Sequence, residues 1–492
     1  MKKLVLAVID ALKPEMLERA VEQGQAPALE AIMKRGTYVP ECVSTFPSVT
    51  PVAAAAIATG VGPADHHIPS MNWFHRGEQR YVEYGSSFEA SRQFGLLRSL
   101  QDTVYNMNMA HLSREVKTVF EHVQDAGMKT VGTTYLMYRG RTRHEASAEG
   151  MYPRIAKFAN FRHAVWGPDE LFYADLFASR KTGCRGTLGM PGQRDQHTAC
   201  VGAYCVENDL FDFMLFSLPD NDTYSHKRGP YAQVTSIASA DRALERLMHA
   251  GGGPDEFLDE HAVMVMSDHS QIAVVDRVNL GAALADFDVL TPFDVRAEGK
   301  EVAVCPSQRS AQVYVLDDDK RESLTKELYR DLQDVEGVDL VVHRVADDEA
   351  AVWSPRGKLR FGPGGDLIDP RGCSWSVDGD LDTLGLDVGD GRVGSGSYPD
   401  GLGRLWSALE SPNTGDVLLS AGGGYEFVDW GGVAHVGGGS HGSLHRGDSL
   451  GALVMAGVDA PARDQWSIAD VTPAILDHFG IGGERGHREE LG

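Results

Sequence analysis

The chain has 492 residues, of which 42% are hydrophobic and 24% charged, and this composition is typical of a folded globular protein. Its 46 basic and 70 acidic residues give a net charge of −24. So acidic a chain is unsuited to be a nucleic-acid scaffold or to bind an anionic membrane, because both need basic surfaces. We therefore expect no nucleic acid and no membrane as partners, and the composition carries no prediction of oligomeric state.

The first predicted element is a buried strand over Lys3–Ile9 that delivers Asp10 at its carboxyl end. Its apolar run of six residues is too short for a signal peptide and lacks a cleavage site, and no stretch reaches the roughly 18 apolar residues of a membrane span. We therefore expect a cytoplasmic protein. The later strands are predicted at 130–135, 211–218, 262–267, 416–420 and 453–456.

Helical patterns alternate with these strands, which indicates an α/β fold. We predict helices at 13–20, 51–58, 112–126 and 234–249. A last helix begins at the capping pair Ser467 and Asp470 and ends before Gly480.

Residues 276–400 differ in character, with 26 acidic against 14 basic residues, so that this quarter of the chain carries half of the net charge. We predict an inserted acidic cap or subdomain here, and a core formed by residues 1–275 and 401–492. Ordinary long loops with solvated charges are the alternative.

The six cysteines are scattered without paired spacing, which favours buried or idle thiols. Cys200 and Cys205 are near enough in sequence for a disulfide that clips a loop, and we keep this as the alternative.

Two residues near the N-terminus are suited to bind a cation or a phosphoryl group. Asp10 follows a strand, and open α/β sheets bind ligands beyond the carboxyl ends of their strands. Thr50 is predicted as the N-cap of the alanine-rich helix that Pro51 opens, where free backbone N–H groups favour phosphate. Taken singly, Asp10 reads as a turn residue and Thr50 as an ordinary cap.

Three further motifs carry ligand-type side chains beyond predicted strands or among glycines. Asp222 and His226 lie four residues apart, Asp268 and His269 are adjacent, and His441 lies in the glycine-rich stretch 437–442. Any one of them could be structural. Together the motifs supply three Asp, three His and a hydroxyl, which is enough for two cation sites that suit zinc best and manganese next.

The ordered set of motifs resembles the alkaline phosphatase superfamily and, within it, the type I phosphodiesterase/nucleotide pyrophosphatase family. The resemblance runs from Val8-Ile9-Asp10 to the helix that begins at 467. It implies an alkaline-phosphatase-like sandwich, with a mostly parallel central sheet flanked by helices and an inserted cap.

The resemblance also assigns roles to residues of this sequence. It makes Thr50 the nucleophile. It also makes Asn72 the residue that contacts the transferred phosphoryl oxygen; Asn72 ends the stretch that begins with Asp65-His66-His67. His66 and His67 are expected to be structural, and His445 to support the ligands from outside. The ligands of one metal are then Asp10, Thr50, Asp268 and His269, and those of the other are Asp222, His226 and His441.

The implied activity is metal-dependent hydrolysis of phosphodiester or pyrophosphate bonds in small phosphorylated molecules, through a phosphothreonine intermediate. Phosphomonoesterase and phosphonate hydrolase are alternatives, and the latter would want basic residues, of which Lys13, Lys227 and Arg228 are nearest in sequence. A phosphosugar mutase and a non-catalytic metal-bound binding protein fit less well.

Nucleotides are one possible class of substrate. Family members that cleave nucleotides commonly have an aromatic residue after the nucleophile to stack on the base, whereas Pro51 stands here. Trp73, Phe74 or Tyr152 could supply that stacking, although most aromatic residues belong to the core.

Overall fold

The opening strand lies in the middle of a large sheet. A computed structural model describes residues 1–146, 163–173, 176–186, 190, 192–294 and 297–482. In this part of the chain, strand Lys3–Ile9 pairs in parallel with Phe213–Leu218 on one side and with His261–Met266 on the other. All three strands are nearly continuous runs of buried apolar residues, as expected for a parallel sheet covered on both faces.

This first sheet has eight strands within the described residues. In spatial order they are Gly36–Val43, Leu450–Ala456, His261–Met266, Lys3–Ile9, Phe213–Leu218, Thr130–Thr133, Glu170–Tyr173 and Phe177–Ala178. The five strands from His261–Met266 to Glu170–Tyr173 are mutually parallel, and antiparallel strands flank them at both edges. The predicted mostly parallel sheet is therefore confirmed.

Helices cover both faces of the first sheet. Leu4, Leu6 and Val8 contribute to one hydrophobic core, whereas Val5 and the alternate residues after it contribute to another. The first core includes helices Thr50–Thr59 and Val471–His478, and the second includes Pro14–Glu22, Pro27–Arg35, Arg194–Glu207 and Val234–Ala250. The alternation of a strand thus places the sheet between two helical layers.

The predicted elements agree with the observed ones except in one region. All six strands are present with bounds shifted by at most three residues, and the last helix has the predicted capping box between Ser467 and Asp470. The helix predicted at 112–126 is wrong in extent, because the α-helix spans only Val119–Asp125. Thr118 and Glu121 form a capping box that starts a new helix there, and the preceding helical segment, Asp102–His111, is a π-helix.

A second sheet of ten strands lies within the described residues. Segment 276–400 supplies all of its strands except Val417–Ala421, which lies between Ser310–Val315 and Val338–Ala346 and pairs with both. The other strands are Val289–Leu290, Val302–Ser307, Glu349–Ser354, Gly357–Ile368, Ser374–Gly379, Leu386–Gly389 and Arg392–Ser395. A strand of the predicted core thus runs through the sheet of the predicted insertion, and the division into core and cap stays a prediction.

Short strand pairs and helices complete the described residues. The pairs are Asn72–His75 with Arg80–Glu83, Thr142–His144 with Val165–Gly167, Ile272–Ala273 with Gly439–Ser440, and Asp276–Val278 with Tyr425–Phe427. The remaining α-helices are Pro63–His66, Phe88–Phe94, Leu96–Gln101, Asp220–Arg228, Pro254–Glu260, Leu280–Ala283, Arg321–Asp331, Gly401–Glu410 and Arg446–Ser449. Among the described helices, none combines the length and the hydropathy that crossing a bilayer would demand.

The expectation of unpaired thiols is wrong for two cysteines. Cys184 and Cys200 form a disulfide, with their Cα atoms 5.8 Å apart, whereas Cys205 is free and buried. Cys200 and Cys205 lie on the same helix, Arg194–Glu207, where five residues rise by about 7.5 Å along the axis. The bond considered between them is therefore excluded by helix geometry.

Candidate metal centre

The ligand-type residues converge at one edge of the first sheet. Asp10 directly follows strand Lys3–Ile9, and Asp268 follows strand His261–Met266 after one residue. Helix Asp220–Arg228, which follows strand Phe213–Leu218, carries Asp222 and His226. Because these strands are parallel neighbours, their carboxyl ends bring residues that are far apart in sequence to one crevice.

A first cluster contains Asp10, Asp268 and His269, whose ligand atoms all lie within 4.8 Å of one another. The Nε2 atom of His269 is 3.6 Å from Asp10 Oδ1 and 3.4 Å from Asp268 Oδ2. The Thr50 hydroxyl oxygen lies 3.2 Å from the same nitrogen. The four residues predicted for one metal therefore come together around a single atom.

Thr50 is the first residue of helix Thr50–Thr59, and its predicted place as the N-cap is wrong by one position. Val49 is the N-cap, since it is extended and its carbonyl accepts the N–H groups of Val52 and Ala53. Thr50 remains in the first turn, where backbone N–H groups without helical partners and the positive end of the helix dipole favour an anion.

A second cluster contains Asp222, His226 and His441. Asp222 Oδ2 lies 3.3 Å from His226 Nε2, and Asp222 Oδ1 lies 3.6 Å from His441 Nε2. The rings of His269 and His441 stack with centroids 3.6 Å apart, so that Asp222, His269 and His441 also form a compact group. The two clusters therefore adjoin and form one centre.

Backbone carbonyls fix the tautomers of all three histidines. The Nδ1–H of His269 donates to the carbonyl of Ser270, that of His226 to Gly439, and that of His441 to Ser48. A carbonyl oxygen can only accept, so Nδ1 carries a proton, and Nε2 is the ring nitrogen that each histidine turns towards the clusters. This is the arrangement of metal-binding histidines, whose second nitrogen is held from outside.

Two of the ligand-type atoms have no partner in the part of the protein that the structure describes. Asp10 Oδ1 and His441 Nε2 are buried without a hydrogen-bond partner among the described residues. Burial, together with repulsion from Asp268 and Asp222, raises the pKa of Asp10 well above its ordinary value. Burial lowers the pKa of His441 well below its ordinary value. Carboxylate and imidazole atoms face one another at 3.3–3.6 Å across the clusters, and these are the ligand types that divalent cations such as zinc coordinate.

The glycine-rich stretch approaches the second cluster closely, as its composition predicts. A Cβ atom on Gly438 would collide with the backbone carbonyl oxygen of His226. One on Gly439 would collide with the side-chain oxygen of Gln271 and lie 3.0 Å from the carbonyl of Ser225. The absence of these side chains lets the chain pass over helix Asp220–Arg228 and bring His441 against Asp222.

Asn72 is buried on strand Asn72–His75, and both of its amide hydrogens are engaged. Its Nδ2 atom donates to the carbonyl of Val82 at 3.1 Å and to Glu83 Oε2 at 3.0 Å, while its Oδ1 atom is buried without a partner among the described residues. A contact with a phosphoryl oxygen would require one of these bonds to be exchanged. The role of Asn72 therefore stays a prediction.

The other histidines that the sequence singles out lie outside the clusters. His66 is buried and its Nδ1 atom accepts the N–H of Ile68, while His67 adopts a left-handed conformation after a short helix. His445 does not support the ligands in the way we expect, because its Nδ1 atom caps helix Arg446–Ser449 by accepting the N–H of Gly447.

The aromatic residues considered for base stacking are not available in the described part of the chain. Trp73 and Phe74 are 0% and 1% exposed and belong to the core of the first sheet. Tyr152 lies outside the described residues. Trp73 and Phe74 are therefore core residues, as most aromatic residues are expected to be, and their buried side chains do not supply the alternative role of stacking on a base.

Two residues near the ligands were not predicted from the sequence. Gln271 donates through Nε2 to Asp222 Oδ1. Arg194 donates to Asp220 at 2.9 Å and to the hydroxyl of Thr223 at 2.6 Å, and its charge lowers the pKa of Asp10 against the larger effect of burial. Gln271 follows the Asp268-His269 motif closely and could have been noticed there, whereas no local pattern marks Arg194.

Solved structures of phosphorus-ester and phosphonate hydrolases share this fold. Human ectonucleotide pyrophosphatase/phosphodiesterase 5 matches with a TM-score of 0.59 and 12% identity, over 99% of this chain and 97% of that chain. An inactive form of the murine protein, in complex with AMP, matches with 0.58 and 10%, over 99% and 97%. Phosphonoacetate hydrolase from Sinorhizobium meliloti 1021, in complex with phosphonoformate, matches with 0.59 and 16%, over 97% and 96%.

Sequence similarity identifies the family of this chain. No curated protein matches it significantly. The profile of the family described as type I phosphodiesterase / nucleotide pyrophosphatase matches residues 4–364, which is well over half of the chain. The chain therefore belongs to the type I phosphodiesterase/nucleotide pyrophosphatase family, a family of hydrolases that act on phosphoric ester bonds.

Proposed function

We propose that the protein hydrolyses phosphodiester or pyrophosphate bonds of small molecules, nucleotides among them, with Thr50 as the nucleophile. The observation that carries the proposal is the position of the Thr50 hydroxyl, 3.2 Å from the Nε2 atom of His269 at the junction of the two acid–histidine clusters. A hydroxyl at the start of a helix, beside two cation sites, is placed for attack on a phosphoryl group.

Two divalent cations would be held by the residues of the clusters, with zinc as our first choice and manganese as the second. Asp10, Thr50, Asp268 and His269 would bind one, and Asp222, His226 and His441 the other. When bound, such cations supply Lewis-acid chemistry, which favours deprotonation of a hydroxyl or of water and offsets charge on phosphoryl oxygens.

In the proposed reaction the Thr50 oxygen forms a bond to phosphorus while the bond between phosphorus and the leaving oxygen breaks. The leaving oxygen keeps the electron pair of that bond, and the hydroxyl proton passes to solvent. The Thr50 N–H at the helix start, and Asn72 after exchange of one of its bonds, would hold a non-bridging oxygen. Water then attacks this phosphorus and breaks its bond to the Thr50 oxygen, which takes up a proton from the water, and the phosphorus leaves as a phosphomonoester.

Phosphonate hydrolysis is the second candidate, because a basic side chain, that of Arg194, does lie near the clusters. Lys13 is buried and pairs with Glu15, and Lys227 and Arg228 are exposed. Arg194 is the basic residue whose charge acts on Asp10. Its guanidinium could donate hydrogen bonds to the carboxylate of a phosphonocarboxylate substrate.

The test uses the purified chain, stripped of metal and then reloaded with zinc or manganese. An aryl phosphodiester, an aryl phosphomonoester and a phosphonocarboxylate are assayed in parallel, with the wild type and with Thr50→Ala. We expect metal-dependent turnover of the diester by the wild type, and a loss of about 10³-fold or more in Thr50→Ala with an unchanged metal content.

The possible outcomes separate the alternatives. Preference for the monoester or for the phosphonate would replace the proposed activity with the corresponding alternative. Full activity of Thr50→Ala would refute the nucleophile. Absence of turnover with every substrate by metal-loaded protein would favour a non-catalytic binding protein.

The cytoplasmic location that the sequence suggests remains a prediction. The Cys184–Cys200 bond weighs against it, because disulfides persist mainly in oxidising compartments. Alkylation of the protein inside its own cells, followed by peptide mass analysis, would find these two cysteines alkylated if the protein is cytoplasmic and joined if it is exported.

A further inference from the structure

Gln271 is a single buried side chain that touches three of the segments that carry the proposed ligands. It follows Asp268 and His269 on the same loop and is 0% exposed. Its Nε2 atom donates to Asp222 Oδ1 and lies 3.4 Å from the carbonyl oxygen of Asp222. Its Oε1 atom lies against Gly439, where a Cβ atom would collide with it, two residues before His441.

The contact with Asp222 holds its carboxylate in the plane in which one oxygen faces His441 and the other faces His226. Oδ1, which accepts from Gln271, is the oxygen 3.6 Å from His441, and Oδ2 is the oxygen 3.3 Å from His226. A neutral amide donor fixes the plane of this carboxylate and leaves its negative charge intact for a cation. A basic residue at this place would neutralise the charge, and an acidic one would repel it.

The other end of the amide, Gln271 Oε1, is buried and has no hydrogen-bond partner among the described residues. Burial of an unpartnered amide oxygen is costly, so such groups are rare in native proteins. Turning the amide over would not help, because Oε1 would then face the carboxylate of Asp222.

We infer that Gln271 is a positioning residue that holds the Asp222 carboxylate for the cation site formed with His226 and His441. The inference rests on the proposed function, since it assumes the ligand sets given there. Partners of this kind outside the coordination sphere typically change metal affinity by about 10- to 100-fold when they are removed.

The test compares Gln271→Met, which keeps the length of the side chain and lacks the donor, with a matched variant elsewhere. Gln312 is also a buried glutamine, but its Nε2 atom donates to the carbonyl of Pro69 and its Oε1 atom accepts from Gly415 and Tyr314, none of which is a proposed ligand. Gln312→Met therefore controls for the loss of a buried amide.

Zinc binding is measured on the full chain by competition with a chelating dye, and unfolding midpoints are measured on the metal-free proteins. For Gln271→Met we expect two zinc sites, of which one is at least tenfold weaker than in the wild type, and an unfolding midpoint close to that of the wild type. For Gln312→Met we expect wild-type zinc affinity and a lower midpoint.

One result would overturn the inference while the proposed function stands: Gln271→Met binds both zinc ions with wild-type affinity. If that variant also loses as much metal-free stability as Gln312→Met, Gln271 is merely structural. If the wild type itself binds fewer than two zinc ions, the ligand sets of the proposed function fail, and the inference fails with them.

Discussion

Glu83 should make the folding stability of this protein decrease as the pH rises through neutrality. It is 1% exposed at the end of strand Arg80–Glu83, where Oε2 accepts from Asn72 and Oε1 accepts from Gly85 and Ser86. Burial outweighs these hydrogen bonds and raises the pKa of Glu83 from 4.5 to about 7. The informative change is Glu83→Gln, which has nearly the same shape and no titration.

The magnitude follows from the interval between the two pKa values. Between pH 4.5 and about 7 the folded carboxyl keeps a proton that the unfolded chain has lost, so the folded state binds more protons there. Its stabilising contribution is complete below pH 4.5 and is lost as the pH rises through the folded pKa. At about 1.4 kcal/mol for each pKa unit, the loss is about 3 kcal/mol.

The assay is urea unfolding of wild type and Glu83→Gln between pH 4.5 and 8, at equal metal content. The free energy of unfolding of the variant minus that of the wild type should rise by about 3 kcal/mol across this range. Glu89→Gln, which removes a charge from an exposed carboxylate of the neighbouring helix Phe88–Phe94, controls for net charge. A difference for Glu83→Gln that does not change with pH would refute the reasoning.

Two further predictions concern Gly438, beside the candidate metal centre, and the buried ion pair of Arg309 with Asp448. Gly438→Ala would place a methyl group against the carbonyl oxygen of His226, so metal analysis should find one cation per chain instead of two, and two retained cations with wild-type affinity would contradict this. Arg309→Met would leave the buried carboxylate of Asp448 without a counter-charge, because both side chains are 0% exposed and joined at 2.8 Å, and urea unfolding should show a loss of about 3–5 kcal/mol. A loss under 1 kcal/mol would show that Asp448 is not left as a buried charge.

The arrangement of the first sheet follows from patterns that are local in the sequence. Runs of buried apolar residues mark its strands, and the parallel order of neighbouring strands places Asp10, Asp222 and Asp268 at one edge. The glycines around residue 438 also predict the site, because two backbone segments that approach closely leave no room for a side chain between them. Ligand-type residues were therefore open to prediction wherever they end a strand or interrupt a glycine-rich loop.

Contacts between segments that are distant in the chain have no local pattern in the sequence that predicts them. Asp222 and Gln271 are 49 residues apart, and Asn72 is held by Val82 and Glu83 through a strand pairing whose partners the sequence does not name. The disulfide joins Cys184 to a helix that also carries Cys205, and only the direction of side chains on that helix decides between them.

By itself, the sequence determined the residue types of the candidate metal centre and the edge of the sheet where they meet, because strand periodicity and chain order are encoded locally. Only the tertiary structure decided how the Asp222 carboxylate is oriented between His226 and His441, which backbone carbonyls accept from the histidine Nδ1 atoms, and that a strand from beyond residue 400 completes the second sheet. These features depend on directional hydrogen bonds and on packing between segments far apart in the chain, and such bonds form only once the layers of the fold have assembled.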